Sequence, residues 1–526
     1  MHASARPACD AVRAATLTRM PTGIRSLAIA AAAACLAATA IWAAPVQARG
    51  IASYISAPGL HPPKLAPKVD RAGKAGGLLL LDPFAISAAA PAGQTGPLIV
   101  EDDGMPVWFH PLPAGELALD FTEQTYAGRP ALSWWQGRRG DGGLTNLAAG
   151  PPQPGARYYV YGQRYRQLAT VLAQEGWTAD PDELTLTGHG TALLIASKVV
   201  PMDLAAYGGA PSGELLDSEI QEVSLKTGRL LFKWDMLEHV PLGQSETVPP
   251  LTGIWDPYQL DSVQELGGRR LLISARNTWT VYEIDSSSGE IVWRLGGKDS
   301  SFQLGPQASF YWQSDARLEP GNRLTLYDDG CCEATASGLG PAQGAARGLV
   351  LGLHESEHTA TLVGQYRHSP GLQSSELGSV QTLPNGNALI GWGGLPNLSE
   401  YTSAGKLVYA VSLPAADAND RVVRAQWHGM PATRPSVVAR RAGGRTTVYV
   451  SWNGATQVRF WQVFAGPSAG SLNGEIADGE IIAFALPSGF QTAIPVSVGG
   501  PVFEVEALGA NNRVLGVSQP VRALAE

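Results

Sequence analysis

From about residue 95 the chain repeats one alternation of apolar and polar positions. A Gly-containing turn precedes a short apolar strand. A second strand, a turn and a third strand follow, the last often ending near a Trp. One copy reads GHGTALLIAS (188–197) with EIQEVSLKTGRLLFKW (219–234), and the next GGRRLLISARNTWTVYEIDSSSGEIVWRLGG (267–297). A third joins PGNRLTLYDD (320–329) to RGLVLGLHESEHTATLVGQY (347–366), and a fourth is PNGNALIGWGGLPNLSEYTSAGKLVYAVSL (384–413). A looser copy opens the array with GPLIVEDDGMPVWFHPL. Alternation with a period of two predicts half-buried strands. KTG, SSSG and SAG supply the residues a hairpin turn needs. Units of roughly fifty residues, each a small antiparallel sheet, predict propeller blades. Five clear units and one closed by the chain ends predict six blades, with seven as the alternative.

The rhythm changes after about Pro431. TTVYVSW (446–452), QVRFWQVFAG (457–466), EIIAFAL (480–486), TAIPVSV (492–498), PVFEVEALG (501–509) and RVLGVS (513–518) are short strands at close spacing. They predict an immunoglobulin- or fibronectin-like sandwich. The expected organisation is all-β: a secretory signal over 1–48, a Pro-, Ala- and Gly-rich lead-in over 49–92, a six-bladed propeller over 93–430, and a C-terminal sandwich over 431–526.

Composition supports that class. The 526 residues are 44% hydrophobic and only 16% charged, with 61 Gly, 38 Pro, 14 Trp and 15 Tyr. This suits a turn-rich β protein and excludes a coiled coil or a disordered chain. Arg19 and Arg25 precede the apolar run SLAIAAAAACLAATAIWAA and then APVQARG. That order predicts a secretory signal cleaved after about Ala48, with a retained anchor as the alternative. Removing 1–48, which hold four Arg and one Asp, would take the net charge from −8 to −11. The acidic balance argues against nucleic acid and anionic membranes as partners. A mature chain without membrane insertion, secreted or extracytoplasmic, is expected. Cys331 and Cys332 would be its remaining thiols. They are adjacent, a spacing that strains a disulfide, so loop thiols are the plainer reading.

HESEH (354–358) matches a zinc-protease pattern that works only on a helix. Here it lies between two alternating strands and predicts a hairpin loop, so no metal and no other cofactor is expected.

A propeller gathers its chemistry where the leading segments of successive blades converge. Those segments are ADPDELTLT (179–187), WDPYQLDSV (255–263), FYWQSDAR (310–317) and SSELGSVQTL (374–383). They would bring Asp182, Gln259, Ser314 and Ser379 around one axis, with Asp261 and Trp312 beside them. Arg276, in LLISARNTW, would reach the same mouth.

At this point the chain resembles the arylsulfotransferase family of secreted six-bladed propellers, from about residue 95 to 430. The resemblance is carried by PLIVEDDGMPVWF, LSWWQG, LEHVPLGQS, LLISARNTWTVYEID, GEIVWRLGGK, WQSDAR, RGLVLGL, SVQTLPNGNALIGWG and VYVSWNGAT. It implies transfer of a sulfuryl group from an aryl sulfate to a phenol through a covalent sulfo-histidine. It also implies a His nucleophile where this chain has Ser314, His at Asp182 and Gln259, and Asn at Asp261 and Ser379. Of the implied active-site set, Arg276 alone matches.

Physical chemistry weighs on these replacements. Sulfuryl transfer resembles phosphoryl transfer in asking for a nucleophile, positioning and charge stabilisation. Imidazole is reactive near neutral pH, whereas a Ser hydroxyl needs a base in reach. Two Asp and one Arg leave the set near −1. At ~4 Å and an effective dielectric of ~20, each adverse charge costs on the order of 4 kcal/mol. Three readings stay open here. The first is a family member that has lost the transfer and binds a small aromatic or polar ligand, an aryl sulfate or phenol among them. The second is an active transferase with an unconventional nucleophile. The third is a cell-envelope interaction scaffold. Arg276 is expected either to contact an anion or to pair with Asp315 or Asp261. His239 and His368 are expected to be structural, and Trp134 and Trp135 to pack between blades.

Overall fold

The computed structural model describes residues 50–85, 93–139, 151–250, 252–330, 334–335, 338–339, 344–374, 376–471, 480–497 and 500–525. The expected signal segment and the Cys331–Cys332 pair lie outside them.

The described chain is nearly all β. Six strands each begin a separate sheet with an antiparallel four-stranded core: β1 (Leu117–Tyr126), β2 (Thr178–Leu186), β3 (Leu260–Gly267), β4 (Ser314–Glu319), β5 (Ser379–Thr382) and β6 (Val423–Ala425). In the first five sheets the other three core strands follow in chain order, as the turn signals predict, the fourth sheet being interrupted by a separate hairpin of Ala334–Thr335 and Gly338–Leu339. The sixth is assembled from distant segments. β6 pairs with Leu78–Leu81, which pairs with Leu98–Val100 and then Pro106–Phe109. The lead-in therefore supplies strands. LLLL at 78–81 is fully buried, and Ala66–Asp70 adds an edge to the β5 sheet by pairing with Leu407–Ser412. A continuous apolar run with no alternation is what a strand buried on both faces requires.

The six leading strands lie against one another around a central channel. The apolar cores sit between neighbouring sheets. Leu193, Ile220 and Trp234 of the β2 sheet pack on Val263, Ile273 and Tyr282 of the β3 sheet. Leu272, Val281 and Trp293 in turn meet Leu324, Leu349 and Leu351 of the β4 sheet. Trp134 sits in an aromatic cluster with Trp108, Phe121 and Tyr161, and the Trp135 Nε1 donates to the carbonyl of Ala179 in the next sheet. Both Trp therefore pack between elements.

A leading strand has one neighbour in its own sheet, so its inner backbone edge needs other partners. Glutamines supply them at three junctions. Gln124 donates to Leu184 O and accepts from Leu186 N. Gln264 does the same with Leu318, and Gln381 with Arg424.

HESEH is a hairpin between Arg347–His354 and Thr359–Arg367, with His358 at φ 50°. Beyond residue 431, two sheets enclose a common core. One contains Ser436–Ala442, Arg445–Ser451 and Gln491–Val496, and the other Phe460–Gly466, Glu480–Ala485 and Val502–Leu508. Val448, Val450 and Ile494 meet Val463, Phe503 and Val505. The strand at 436–442 escapes the sequence reading because ARRA interrupts its apolar alternation.

Candidate functional site

Each of the first four leading strands breaks its pairing near its start. The register shifts between Leu119 and Thr122, Ala179 and Leu184, Leu260 and Ser262, and Ser314 and Arg317. A bulge turns a residue out of the ladder and re-aims its side chain. These bulges carry Asp120, Asp180 and Asp182, Asp261, and Asp315. Asp120 and Asp315 stand at φ 53° and 52°, a left-handed conformation that Asp tolerates better than most residues.

Three of the turned-out side chains, with Ser379 and Asp420, link neighbouring sheets in a ring that is broken at one junction. Asp120 accepts from Leu184 N, Asp261 from Asp315 N, Asp315 from Val380 N, Ser379 from Val422 N, and Asp420 from Asp120 N. Each bond runs from one sheet's side chain to the next sheet's backbone. The remaining junction is that between β2 and β3. There the Asp182 carboxylate accepts no hydrogen bond among the described residues.

Arg421 crosses the channel at this level. It meets Asp120 at 2.7 Å, Glu183 at 3.4 Å and Asp315 at 3.8 Å, and donates to Asp182 O at 3.1 Å. Arg317 pairs with Glu183 and with Asp315, the latter at 2.9 Å. A cavity of about 340 Å³ is lined by Arg421, Arg317 and Glu183 together with Glu123, Gln124 and Glu319. None of the seven residues expected from the sequence lines it.

Those seven lie elsewhere around the channel. Arg276 is buried in a short turn after the second strand of its sheet. Its Nη2 meets Asp329 at 3.0 Å, and its guanidinium carbon lies 5.3 Å from the centre of the Trp312 ring. The partner is thus neither Asp315 nor Asp261, both of which are engaged by backbone N–H groups. Trp312, at φ 54°, packs edge-on to Trp279. Gln259, at φ 44°, contributes its carbonyl to Arg276 N at 2.9 Å, and its own N–H donates to Asp256. Gln313 is structural: its Nε2 reaches Ser274 and the carbonyls of Ala275 and Thr280. Ser379 is committed to Val422 N. Ser314 is 1% exposed, and its Oγ has no hydrogen-bond partner. No base is bonded to it.

The electrostatics are acidic. Burial pushes Asp261 and Asp329 up to about 7 and Asp256 up to about 6. Asp182 is also raised, by burial first and then by Asp180, Asp261 and Asp420, with Arg139 opposing. None of the eight described His is hydrogen-bonded to Ser314. His239 stacks on Trp234 at 4.7 Å, and His368 meets Trp392 edge-on at 5.5 Å. His110 packs on Trp108 and Trp134, His354 and His358 belong to the hairpin, and none of His61, His189 or His428 bonds to the ring.

Asp180, Asp256, Asp329 and Arg421 were not anticipated. Their signal is a charged residue inside or just beside a short apolar strand, as in LYDD and NDRVV, where a solvated turn residue would look the same.

The sequence pattern of the family described as Arylsulfotransferase (ASST) matches residues 173–413. That span contains all seven expected site residues, while Asp120 and Arg421 lie outside it. No curated protein matches the chain. Among solved structures, a protein of unknown function from Bacteroides caccae is 16% identical with a TM-score of 0.39, over 66% of this chain and 98% of that one. The β-propeller domain of Myceliophteria thermophila Cps50 (Swd1) is 11% identical with a TM-score of 0.33, over 74% and 95%. A catalytically inactive virginiamycin B lyase from Staphylococcus aureus is 10% identical with a TM-score of 0.28, over 74% and 94%.

Proposed function

We propose, from the premise that residues 173–413 make this chain a member of the arylsulfotransferase family, that it is a secreted protein which has lost sulfuryl transfer and binds a small ligand at the channel mouth. In this reading the six sheets are the blades of a propeller and residues 431–526 a sandwich appended to it. The observation that carries the proposal is the state of Ser314. It stands where the family resemblance implies the sulfated His. Its hydroxyl is buried, and neither an imidazole nor a carboxylate is bonded to it. Without a base the hydroxyl is a poor nucleophile at neutral pH. Arg276, the one residue that matches the implied active-site set, is paired with Asp329. An arriving aryl sulfate would meet buried carboxyl groups rather than imidazoles.

The test is release of nitrophenol from 4-nitrophenyl sulfate in the presence of a phenol acceptor. The native chain should be silent, and a Ser314→His, Gln259→His, Asp182→His variant should show turnover. Native turnover that depends on Arg276 would overturn the reading.

One observation favours a second reading, transfer through Ser314 itself. Asp261 is pushed up to about 7 and binds the backbone of Asp315, next to that Ser. A carboxylate of that basicity is a better general base than an ordinary Asp. Native turnover abolished by Asp261→Asn would establish it.

A further inference from the structure

We propose that the channel mouth is a receptor for a small organic ammonium ion, held by the carboxylates of Asp180 and Asp182. The inference rests on the reading that the mouth binds a ligand, and it supplies that ligand's chemical class.

Two independent features point there. The first is the break in the ring. At five of its six junctions a side chain is committed to the next sheet's backbone. Asp182 occupies the sixth and is left without such a bond. The second is Asp180, on the same bulge. It is 6% exposed, and its Oδ1 has no hydrogen-bond partner. A buried carboxylate oxygen without a donor carries a desolvation penalty that a bound donor would remove.

The charge count agrees. Arg421 and Arg317 are used by Asp120, Glu183 and Asp315, and Arg276 by Asp329. Arg139 is close enough to influence Asp182 and Asp256, yet it forms no ion pair with either among the described residues. Among charged groups Asp180 acts most strongly on Asp182, with which it shares a bulge, and it acts on Asp256 as well. Their excess is negative, which disfavours an anion.

The donor set selects the kind of cation. Among the described residues no three acidic, His or Cys side chains converge as ligands for a metal ion. A primary ammonium is less demanding: it brings three N–H donors, and two carboxylates suffice to engage them.

The experiment is calorimetric titration of the full chain with n-butylammonium chloride at matched ionic strength. Butyrate, 4-nitrophenyl sulfate, magnesium chloride and tetramethylammonium chloride are run beside it. Saturable binding of butylammonium is expected, at least tenfold tighter than tetramethylammonium, which has no N–H to donate. Asp182→Asn and Asp180→Asn should each weaken it at least tenfold, and Glu319→Gln, in the cavity with Arg317, should not. The comparison with tetramethylammonium uses the native chain and stands even if a variant fails to fold. No saturable binding of butylammonium, tighter binding of an anion or of magnesium, or insensitivity to both Asp→Asn changes overturns the proposal. A chain silent in both the ammonium titration and the sulfuryl-transfer assay sinks this inference alone. Turnover of 4-nitrophenyl sulfate sinks the underlying reading as well.

Discussion

Two groups of charges occupy the same channel and are built on opposite principles. Around Arg421 the charged groups are engaged: Asp120, Glu183 and Asp315 are shared between Arg421 and Arg317, and Asp120 and Asp315 also accept backbone N–H groups of the next sheet. Around Asp182 that closure is missing. Asp180 Oδ1 is buried without a partner, and Asp182 stands outside the ring of inter-sheet bonds. The first group is a structural clasp that ties sheets to one another. The second carries an electrostatic cost that no bond among the described residues offsets, as the proposed ligand site requires.

The sharpest way to break this contrast is Arg421→Met. It leaves Asp120 and Glu183 buried with less compensation and should cost about 3–5 kcal/mol, read by chemical denaturation. A loss below about 1 kcal/mol would mean that the clasp is ornamental. Next is Asp315→Asn. Asn tolerates the left-handed backbone at this position, so the change isolates the charge and its bonds to Arg317 and Val380. A loss of about 1–3 kcal/mol is expected.

The pH dependence should be smaller and of unusual sign. Asp261 and Asp329 are pushed up to about 7 and Asp256 up to about 6, whereas unfolded carboxyls titrate near ~4. The folded chain therefore holds more protons between those limits, and stability falls as pH rises through that window. The melting temperature should be higher at pH 5.5 than at pH 7.5, and Asp329→Asn should flatten part of the difference. A melting temperature that rises with pH would contradict these burial effects.

The smallest change should be Asp182→Asn, within about 1 kcal/mol and tending toward stabilisation, because it removes like-charge repulsion and breaks no bond. Set beside Asp315→Asn, it tests directly whether the two groups differ as described. Equal losses would place Asp182 in the clasp.

Much of this architecture was legible along the chain. The period-two alternation and the Gly turns locate the core strands of the middle four sheets because the strands of each sheet follow one another in chain order, separated by turns and, in the β4 sheet, by one intervening hairpin. The hairpin reading of HESEH follows from the same local logic. Leu78–Leu81 and Ala66–Asp70 were harder. Their partners, Val423–Ala425 and Leu407–Ser412, lie at the far end of the array, and a lone apolar run does not name the strand it will join.

The sequence by itself determined the β class and the repeating unit, since each is a matter of residue identity and local period. Only the tertiary structure decided which of the site groups share an environment. It gave Arg276 to Asp329, set Arg421 across the channel, committed Ser379 to Val422, and left Asp182 out of the ring. Such pairings join residues from different sheets. Their partners and pKa values come from burial and proximity in three dimensions, and neither quantity is written in the order of residues along a strand.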